Sequence, residues 1–409
     1  MDELGEGTGR HGVTLPNHAH GRIGLMTTML HGPALIDGAV VTTEIAIDGE
    51  RIAAVRRMRP SDPATPGSEP ALGTMSAAYV DLHCHGGGGS AFTDLDADAA
   101  AAAARHHHAR GSASLLASLV TMSPKDLLRG VEILADLADD DLVDGIHLEG
   151  PWLAEARCGA HDPRLLRDPD LREVDRLLRA GRGHVRQVTL APEREGGMRL
   201  VRHLRESGVH PAIGHTTATF AQVGQAVAAG ADLATHLFNG MDPWHHRTPG
   251  AVPALLRAAV HEGVMLELIA DGAHLSDDTV RTVVDLVGPS RVAFVSDAIG
   301  AAGVGDGPYS LGGLSVVVSG GTARLISAPG EPEGSIAGGT SHVADIVARQ
   351  VGAGISLPYA AESASSTPAR LLGLADRGAL RAGARADLVV LDGAARVTRV
   401  MRAGRWLDA

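Results

Sequence analysis

Residues 79–89 read YVDLHCHGGGG, an apolar run that ends in two histidines and four glycines. Alternate side chains of an extended strand lie on the same face, so His83 and His85 can bind one metal ion together. The glycines that follow allow the backbone to approach a ligand closely. We therefore predict a strand whose carboxyl end carries a pair of metal-binding histidines.

Further apolar runs follow this one, each separated from the next by a polar or glycine-containing loop and an Ala- or Leu-rich amphipathic segment. That alternation is typical of β/α units. Eight such units in roughly 220 residues predict an α/β protein whose main domain is a (β/α)8 TIM barrel, in which the carboxyl ends of the strands carry the chemistry. The eight runs are Tyr79–His85, Ser114–Val120, Val143–Glu149, Val185–Ala191, His210–His215, Ala231–Leu237, Val264–Asp271 and Val292–Asp297.

The two ends of the chain share a different sequence pattern, in which short β-rich segments are separated by residues that favour turns. Near the start these pieces are Ala39–Val41, Glu44–Ile47 and Ile52–Val55, with the hairpin signal Asp48-Gly49 between the last two. Similar pieces return over residues 386–400. We predict that both ends pair in one small discontinuous β-sandwich domain. The predicted division is a disordered tail at 1–21, a β-domain formed by 22–78 and 379–409, and the barrel at 79–378.

Five of the eight runs end in side chains that bind metals or exchange protons. Besides the histidine pair, they are Glu149, His215, His236 and Asp297. Each of these residues alone could be a core histidine or a helix-capping aspartate. Together they are too many polar groups for a barrel mouth unless a metal ion or a substrate satisfies them. Two other histidine clusters, at 18–20 and 106–108, fall in the tail and on a predicted helix surface, where we expect no function.

The composition limits the partners. The 409-residue chain carries 36 basic and 48 acidic side chains, a formal net charge of −12. This balance excludes the broad basic surface of a nucleic-acid-binding protein and leaves room only for a local anion pocket. No apolar stretch approaches the ~18 residues that span a bilayer, and Cys84 and Cys158 are too few for a disulfide framework. We expect no nucleic-acid or membrane partner and a cytoplasmic location.

A series of short motifs in a fixed order carries a family resemblance. From about Asp37 to the C-terminus, the chain resembles the amidohydrolase superfamily and, within it, the N-acetylglucosamine-6-phosphate deacetylase family. The motifs are YVDLHCHG (79–86), HLEGPW (147–152), GAH (159–161), GH (214–215), THLFN (235–239), RTPG (247–250) and SDA (296–298).

The resemblance implies a divalent metal held by Glu149, His215 and His236, with zinc as the first expectation and iron, cobalt or manganese as alternatives. Some members of the family keep the histidine pair of the first strand and bind a second metal there. Because His83 and His85 are present, we expect one or two metals per subunit, bridged by Glu149. The chain's only lysine is Lys125, after the second run, so a bridging carboxylated lysine is not available.

The resemblance also implies the reaction, which is removal of acetate from N-acetyl-D-glucosamine 6-phosphate to give glucosamine 6-phosphate in amino-sugar catabolism and cell-wall recycling. A bound metal lowers the pKa of water towards ~7. Asp297 is expected to act as general base and then general acid, and His161 to polarise the acetyl carbonyl. The further substrate-binding residues implied are Asn239, Gly240, Arg247, His274 and Ile336. In several relatives phosphate contacts come from the neighbouring subunit, which implies a homodimer.

Several alternatives stay open. The chain has Asn239-Gly240 where relatives commonly have Asn-Ala, and Gly339 where they have Ser. Both differences concern the sugar more than the chemistry, so N-acetylgalactosamine 6-phosphate remains a second candidate substrate. Hydrolysis of a cyclic amide or a nucleobase would not need Arg247 and His274. A non-catalytic amidohydrolase-like protein should have lost ligands that this sequence retains.

Overall fold

The computed structural model describes residues 28–59, 61–326 and 334–408, so the tail predicted at 1–21 lies outside the described residues. The described strands are β1 (Thr28–Ile36), β2 (Ala39–Asp48), β3 (Arg51–Arg57), β4 (Glu69–Pro70), β5 (Thr74–Ala77), β6 (Tyr79–Cys84), β7 (Gly86–Gly87), β8 (Ser90–Ala91), β9 (Ser112–Leu119), β10 (Gly145–Glu149), β11 (Val185–Leu190), β12 (His210–Ile213), β13 (Leu233–Ala234), β14 (Met265–Leu268), β15 (Val292–Phe294), β16 (Gly307–Leu311), β17 (Leu314–Ser319), β18 (Thr322–Leu325), β19 (Leu388–Leu391), β20 (Val397–Arg402) and β21 (Arg405–Leu407). The described α-helices are α1 (Ala97–Ala109), α2 (Pro124–Asp139), α3 (Leu171–Ala180), α4 (Gly197–Glu206), α5 (Phe220–Ala228), α6 (Ala251–His261), α7 (Asp277–Val287), α8 (Val343–Gly352), α9 (Leu357–Ala364) and α10 (Ser366–Leu371).

Eight parallel strands form the barrel and follow one another in chain order. They are β6 and β9 to β15, without β7 and β8. The first and last strands meet just beyond their ends. There Asp297 N–H donates to the His83 carbonyl and His85 N–H donates to the Ala298 carbonyl, each at 2.8 Å. Seven of the eight predicted runs contain one of these strands, and the run Ser114–Val120 overlaps β9, which begins two residues earlier. The predicted TIM barrel is confirmed.

Helices between the strands cover the outside of the barrel, and α2 shows how the sequence specifies them. The Ser123 hydroxyl accepts from the backbone N–H of Asp126, and Pro124 occupies the first helical position, where its missing N–H is not needed. Leu127, Val131 and Leu134 follow at the i, i+4, i+7 spacing of one helix face and are fully buried. The apolar face therefore fixes the helix against the strands.

The two chain ends form a second sheet, as predicted, with the strand order β21-β20-β19-β5-β1-β2-β3 and with β4 beside β1. The backbone of Ile52 donates to Ala384 (2.9 Å), and the backbone of Ala386 donates to Glu50 (2.8 Å). The segment before β19 is thus hydrogen-bonded to the hairpin at the opposite edge. The sheet closes around its own core, which includes Ile45 and Val390.

Two details of this β-domain differ from the prediction. Residues 39–48 form one continuous strand rather than two pieces, and β1 was not predicted. The turn that joins β1 to β2 is Asp37-Gly38, where both residues have positive φ (50° and 76°). Those angles define a type I′ hairpin turn, which Asp-Gly favours. The dipeptide was therefore a hairpin signal that the sequence analysis did not use.

A three-stranded antiparallel sheet, β16-β17-β18, follows the eighth barrel strand and was not predicted. Leu311 and Val316 of this insertion pack in one buried cluster with Val120 and Ile299, which follow barrel strands β9 and β15. The insertion therefore covers part of the barrel mouth. Within residues 28–59, 61–326 and 334–408, no helix has the length and apolar character needed to cross a bilayer.

The histidines at 106–108 lie in the last turn of α1, so the predicted helix is present. The prediction that they lie on its surface is wrong for His107 and His108, which are buried. The His107 ring contacts the Gly86 carbonyl (2.8 Å) in the glycine segment that follows the first barrel strand. The Gly-rich backbone lets the helix approach so closely that its polar face is covered.

Candidate metal centre and active site

The mouth of the barrel opens into a cavity of about 380 Å³. All the strand-end residues proposed as metal ligands or proton carriers lie in its wall or directly below it. The lining includes His85, Glu149, His161, His215, His236 and Asp297, together with Asn239, Gly240, His274 and Ile336.

One group of potential ligands surrounds the first-strand histidines. The Nε2 atoms of His83 and His85 are 3.0 Å apart. Oε2 of Glu149 lies 3.5 Å and 3.1 Å from these two nitrogens. Oδ1 of Asp297 lies 3.3 Å and 3.2 Å from them. Two imidazoles and two carboxylates therefore converge on one point.

A second group surrounds the other oxygen of the same glutamate. Oε1 of Glu149 lies 3.0 Å from Nε2 of His215 and 2.9 Å from Nε2 of His236. The two nitrogens are 3.1 Å apart. Glu149 thus presents one oxygen to each group, which is the arrangement expected of a carboxylate that bridges two metals.

The ring nitrogen that points away from the centre is hydrogen-bonded in three of the four histidines, whereas Nδ1 of His236 has no partner among the described residues. Nδ1 of His83 faces Glu267 (3.2 Å), Nδ1 of His85 faces the Ser118 carbonyl (3.2 Å), and Nδ1 of His215 faces the Arg157 carbonyl (2.7 Å). Because these partners are acceptors, each Nδ1 carries the proton in a neutral ring, and each Nε2 turns a lone pair inwards.

Facing lone pairs repel unless a cation lies between them. Ligand atoms 2.0–2.1 Å from a tetrahedral metal lie roughly 3.3 Å from one another, which is close to the separations in both groups. The donor set therefore fits divalent metal ions, with His83, His85 and Asp297 on one side of Glu149 and His215 and His236 on the other.

The charges of the site agree with this fit. Burial by itself raises the pKa of Glu149 and Asp297, but the neighbouring histidines outweigh it and the pKa of both carboxyls falls, to about 2 for Asp297. Burial lowers the pKa of His83 and His85, but Asp297 and Glu149 outweigh it and the pKa of both rings rises. The two carboxylates thus attract positive charge to the barrel mouth.

His161 belongs to the same cavity but is oriented differently. The backbone N–H of Thr121 donates to its Nδ1 (3.2 Å), so Nδ1 is the acceptor. Burial lowers the pKa of the ring to about 4, which keeps it neutral at physiological pH. Its proton therefore lies on Nε2, which is 3.5 Å from Oε2 of Glu149. His161 presents an N–H donor to the space above the Glu149 carboxylate.

Glu267 supports the centre from below and was missed in the sequence. It lies in β14, fully buried, and accepts from the Gln187 side chain (2.7 Å) as well as from His83. The signal in the sequence was an acidic residue inside an apolar run. A carboxylate buried in such a run needs hydrogen-bond donors, which here are Gln187 and His83.

Three of the potential ligands lie just beyond the hydrogen-bonded strands, where the backbone turns sharply. His215, His236 and Asp297 all have positive φ, at 46°, 27° and 47°. Non-glycine residues rarely adopt this conformation, and it is concentrated at functional sites. Gly214 permits one of these turns, because a Cβ there would lie 2.7 Å from Cβ of Thr235.

The residues expected to bind the sugar phosphate are not all in one place. Asn239, Gly240, His274 and Ile336 line the cavity, and His274 Nδ1 is paired with Asp271 (2.8 Å). Arg247 is exposed on the loop after Gly240 and is outside the cavity lining of its own chain.

The two departures from the family pattern have a steric context in the structure. Gly240 has a φ of 62°, and a Cβ there would lie 2.8 Å from Nδ1 of His215. A Cβ on Gly339 would lie 2.2 Å from the Ser296 carbonyl. Larger residues at either position would require the backbone to shift.

A cavity residue that the sequence analysis did not identify is Arg157. Its side chain lines the wall and is paired with Asp242, with Nε 2.7 Å from Oδ1. The sequence offered little signal for it, because a lone arginine in an irregular loop is most often a solvated surface residue.

Comparison with known proteins agrees with the geometry. The sequence model of the amidohydrolase family matches residues 74–407. Among curated proteins, the chain is 35% identical over 337 residues to an N-acetylgalactosamine-6-phosphate deacetylase of Escherichia coli O157:H7, covering 81% of this chain and 87% of that protein. It is 31% identical over 364 residues to an N-acetylglucosamine-6-phosphate deacetylase of Bacillus subtilis, covering 85% and 88%.

Among solved structures, the chain is similar to a mutant N-acetyl-D-glucosamine-6-phosphate deacetylase from Mycobacterium smegmatis in complex with N-acetyl-D-glucosamine-6-phosphate. The TM-score is 0.87 and the sequence identity 41%, covering 93% of this chain and 99% of that one. The barrel, the converging ligands and the match over residues 74–407 lead to one conclusion: this chain belongs to the amidohydrolase family.

Proposed function

We propose that the protein is a metal-dependent hydrolase that removes acetate from N-acetyl-D-glucosamine 6-phosphate. Water adds to the acetyl carbon, the carbon–nitrogen bond breaks, and acetate and glucosamine 6-phosphate leave. The observation that carries this proposal is the pairing of a carboxylate, Asp297, with an N–H donor, His161, on either side of the bridging Glu149. Amide hydrolysis needs a proton carrier and a donor to the carbonyl oxygen in this relation.

The metal ions would be held by Glu149 with His215 and His236, and by Glu149 with His83, His85 and Asp297. Two sites per chain are our proposal, with zinc as the first candidate and iron, cobalt or manganese as alternatives. A divalent ion held there supplies Lewis acidity and lowers the pKa of water towards ~7.

Asp297 and His161 divide the remaining work. Asp297 is ionised, so it can take the proton of the attacking water and then give it to the leaving nitrogen. His161 is neutral, and its Nε2–H can donate to the carbonyl oxygen as negative charge develops on it. Thr121 fixes the required tautomer through the bond from its backbone to Nδ1.

A phosphate group would enter at the side of the cavity that holds Asn239, Gly240 and His274. Arg247 can contribute there only if the loop moves or a second subunit supplies it. That loop also exposes the large ring of Trp244, which is 61% accessible. We propose a homodimer in which this loop reaches the neighbouring subunit. A monomer in sedimentation with full activity would reject the dimer.

The galacto epimer of the substrate is the second candidate, because the relative from Escherichia coli O157:H7 is an N-acetylgalactosamine-6-phosphate deacetylase. The two sugars differ in the configuration of one hydroxyl. We propose the gluco sugar first, in the cytoplasm. Comparing kcat/KM for the two 6-phosphates decides between them.

The test of the function is acetate release from N-acetylglucosamine 6-phosphate and from unphosphorylated N-acetylglucosamine. Each is offered to chelated protein and to protein reloaded with zinc. Release that requires both metal and phosphate is the expected result. Absence of release from either sugar, with metal bound, would reject the proposal and direct the search to other amides.

A further inference from the structure

An acidic chain must build any phosphate pocket locally, and this chain has few groups with which to do so. Its only lysine, Lys125, lies in α2 on the outside of the barrel. Apart from His161 and the metal-binding histidines, the described residues of the cavity wall include two groups that can carry positive charge, His274 and Arg157. Arg157 is the one guanidinium in that wall.

Arg157 uses one edge of its guanidinium group for hydrogen bonds to Asp242. Its Nε and Nη2 both donate to the same oxygen of Asp242, the first at 2.7 Å. Its Nη1 makes no hydrogen bond to the residues that the structure describes, and the side chain is 37% exposed. One edge of the guanidinium is therefore held by Asp242, while the other remains able to donate to an anion.

The backbone around Arg157 is fixed against the metal centre. Its carbonyl accepts from Nδ1 of His215 (2.7 Å). On the neighbouring side, the N–H of Thr216 donates to the Gly240 carbonyl (3.0 Å). Both wall segments, one with Arg157 and the other with Gly240, are thus attached to the segment that carries a proposed metal ligand. The guanidinium has a defined position relative to the reacting centre.

We propose that Arg157 binds the phosphate group of the substrate from within the same chain and is a determinant of specificity for phosphorylated amino sugars. The inference rests on the proposed function and deepens it. Asp242 orients the guanidinium by holding one edge, and the free edge meets the phosphate oxygens beside Asn239 and Gly240. Arginine suits this role because its planar fork matches phosphate oxygens and is always charged.

A simpler role must be separated from this one, because Arg157 could serve only to neutralise Asp242. A double-mutant cycle distinguishes the two. Arg157→Ala, Asp242→Ala and the double variant are compared with the wild type for binding of glucosamine 6-phosphate and inorganic phosphate by calorimetry. KM for N-acetylglucosamine 6-phosphate is compared across the same four proteins.

If Arg157 binds phosphate, the double variant binds glucosamine 6-phosphate roughly 10- to 100-fold more weakly than Asp242→Ala alone, the range for a lost charged hydrogen bond. KM for the phosphorylated substrate rises similarly, while the metal content stays unchanged. If the double variant binds glucosamine 6-phosphate as tightly as Asp242→Ala alone, Arg157 only neutralises Asp242 and the inference is wrong.

The matched control is Arg205→Ala. Arg205 also pairs with a single aspartate, Asp232 (2.8 Å), but at the opposite end of the barrel, next to the start of β13. Arg205→Ala should leave the binding of glucosamine 6-phosphate and inorganic phosphate unchanged. Arg157→Gln provides a second variant if the alanine variant is unstable. Because binding is measured without turnover, a wild type that binds the phosphates but releases no acetate would reject the proposed function and leave this inference testable.

Discussion

The molecule holds two histidine clusters near the end of the same strand, and only one of them has the character of a metal centre. The mouth cluster is formed by His83, His85, His215 and His236 with Glu149 and Asp297. The rear cluster, behind the first barrel strand, is formed by His106, His107 and His342. Both bring imidazole nitrogens within about 3 Å of each other or of a neighbouring polar atom, since His106 and His342 approach to 2.9 Å.

The difference lies in the direction of the ring nitrogens. In the rear cluster His342 gives its Nδ1 proton to Asp345 (2.9 Å), so its Nε2 can accept from His106. His107 donates through Nε2 to the Gly86 carbonyl. Each close contact there pairs a donor with an acceptor. In the mouth cluster the outward nitrogens of His83, His85 and His215 are the donors, and lone pairs face one another around two carboxylates.

The charge environments differ in the same sense. Burial lowers the pKa of His106 to about 4 and of His107 to about 3, so these two rings remain neutral. At the mouth, the carboxylates overcome burial and raise the pKa of His83 and His85. Proximity of histidines is therefore not the sign of a metal site. The sign is a set of lone pairs that only a cation can satisfy.

The largest expected effect comes from the mouth. Asp297→Asn removes the group that moves the proton, so kcat should fall by about 10²- to 10⁴-fold. Metal should remain at Glu149, His215 and His236. The measurement is kcat on the phosphorylated sugar together with metal content by mass spectrometry.

The matched change in the rear cluster is Asp345→Asn, since this aspartate also contacts a histidine Nδ1. It should change kcat by less than about threefold, as expected for a partly exposed residue away from the chemistry. If Asp297→Asn retained kcat within the same threefold, Asp297 would not be the proton carrier.

An intermediate effect is expected below the mouth. Glu267→Gln keeps the shape but removes the charge that orients His83. The change should weaken the metal bound by His83 and His85 by about 10- to 100-fold. The other metal position should be unaffected. Titration with a series of chelators of graded affinity measures metal binding at both positions. Unchanged affinity at the position of His83 and His85 would show that Glu267 does not stabilise the centre.

The smallest effect on activity is expected in the rear cluster. His107→Ala leaves the Gly86 carbonyl with only the weak donor Sγ of Cys84, 3.7 Å away. This should lower the free energy of unfolding by about 1–3 kcal/mol, measured by urea denaturation. Metal content should not change. Loss of metal from a folded His107→Ala protein would contradict the separation of the two clusters.

The sequence predicted the mouth cluster well because its information is local. A strand alternates its side chains, so the residues at the ends of parallel strands meet at one edge. His83, Glu149 and His215 could therefore be placed together without a structure. The signal for the type I′ turn, the dipeptide Asp37-Gly38, is equally local, but our prediction did not include a turn there.

What the sequence did not reveal depends on packing between distant segments. His107 was placed on a helix surface because the approach of α1 to the glycine segment cannot be read from either segment alone. Arg157 reaches the cavity through its contact with Asp242, 85 positions away. The β16-β18 insertion was missed because residues 307–325 follow the eighth run, where the barrel pattern had already ended.

The most direct test counts the metals. Wild-type protein, a His83→Asn/His85→Asn variant and a His106→Asn/His342→Asn variant are chelated, reloaded with zinc, checked for folding by circular dichroism and assayed for bound metal. We predict two ions per chain in the wild type, one in the His83→Asn/His85→Asn variant of the mouth and two in the His106→Asn/His342→Asn variant of the rear cluster. A wild type that binds no metal, or a folded rear variant that loses one, would contradict it.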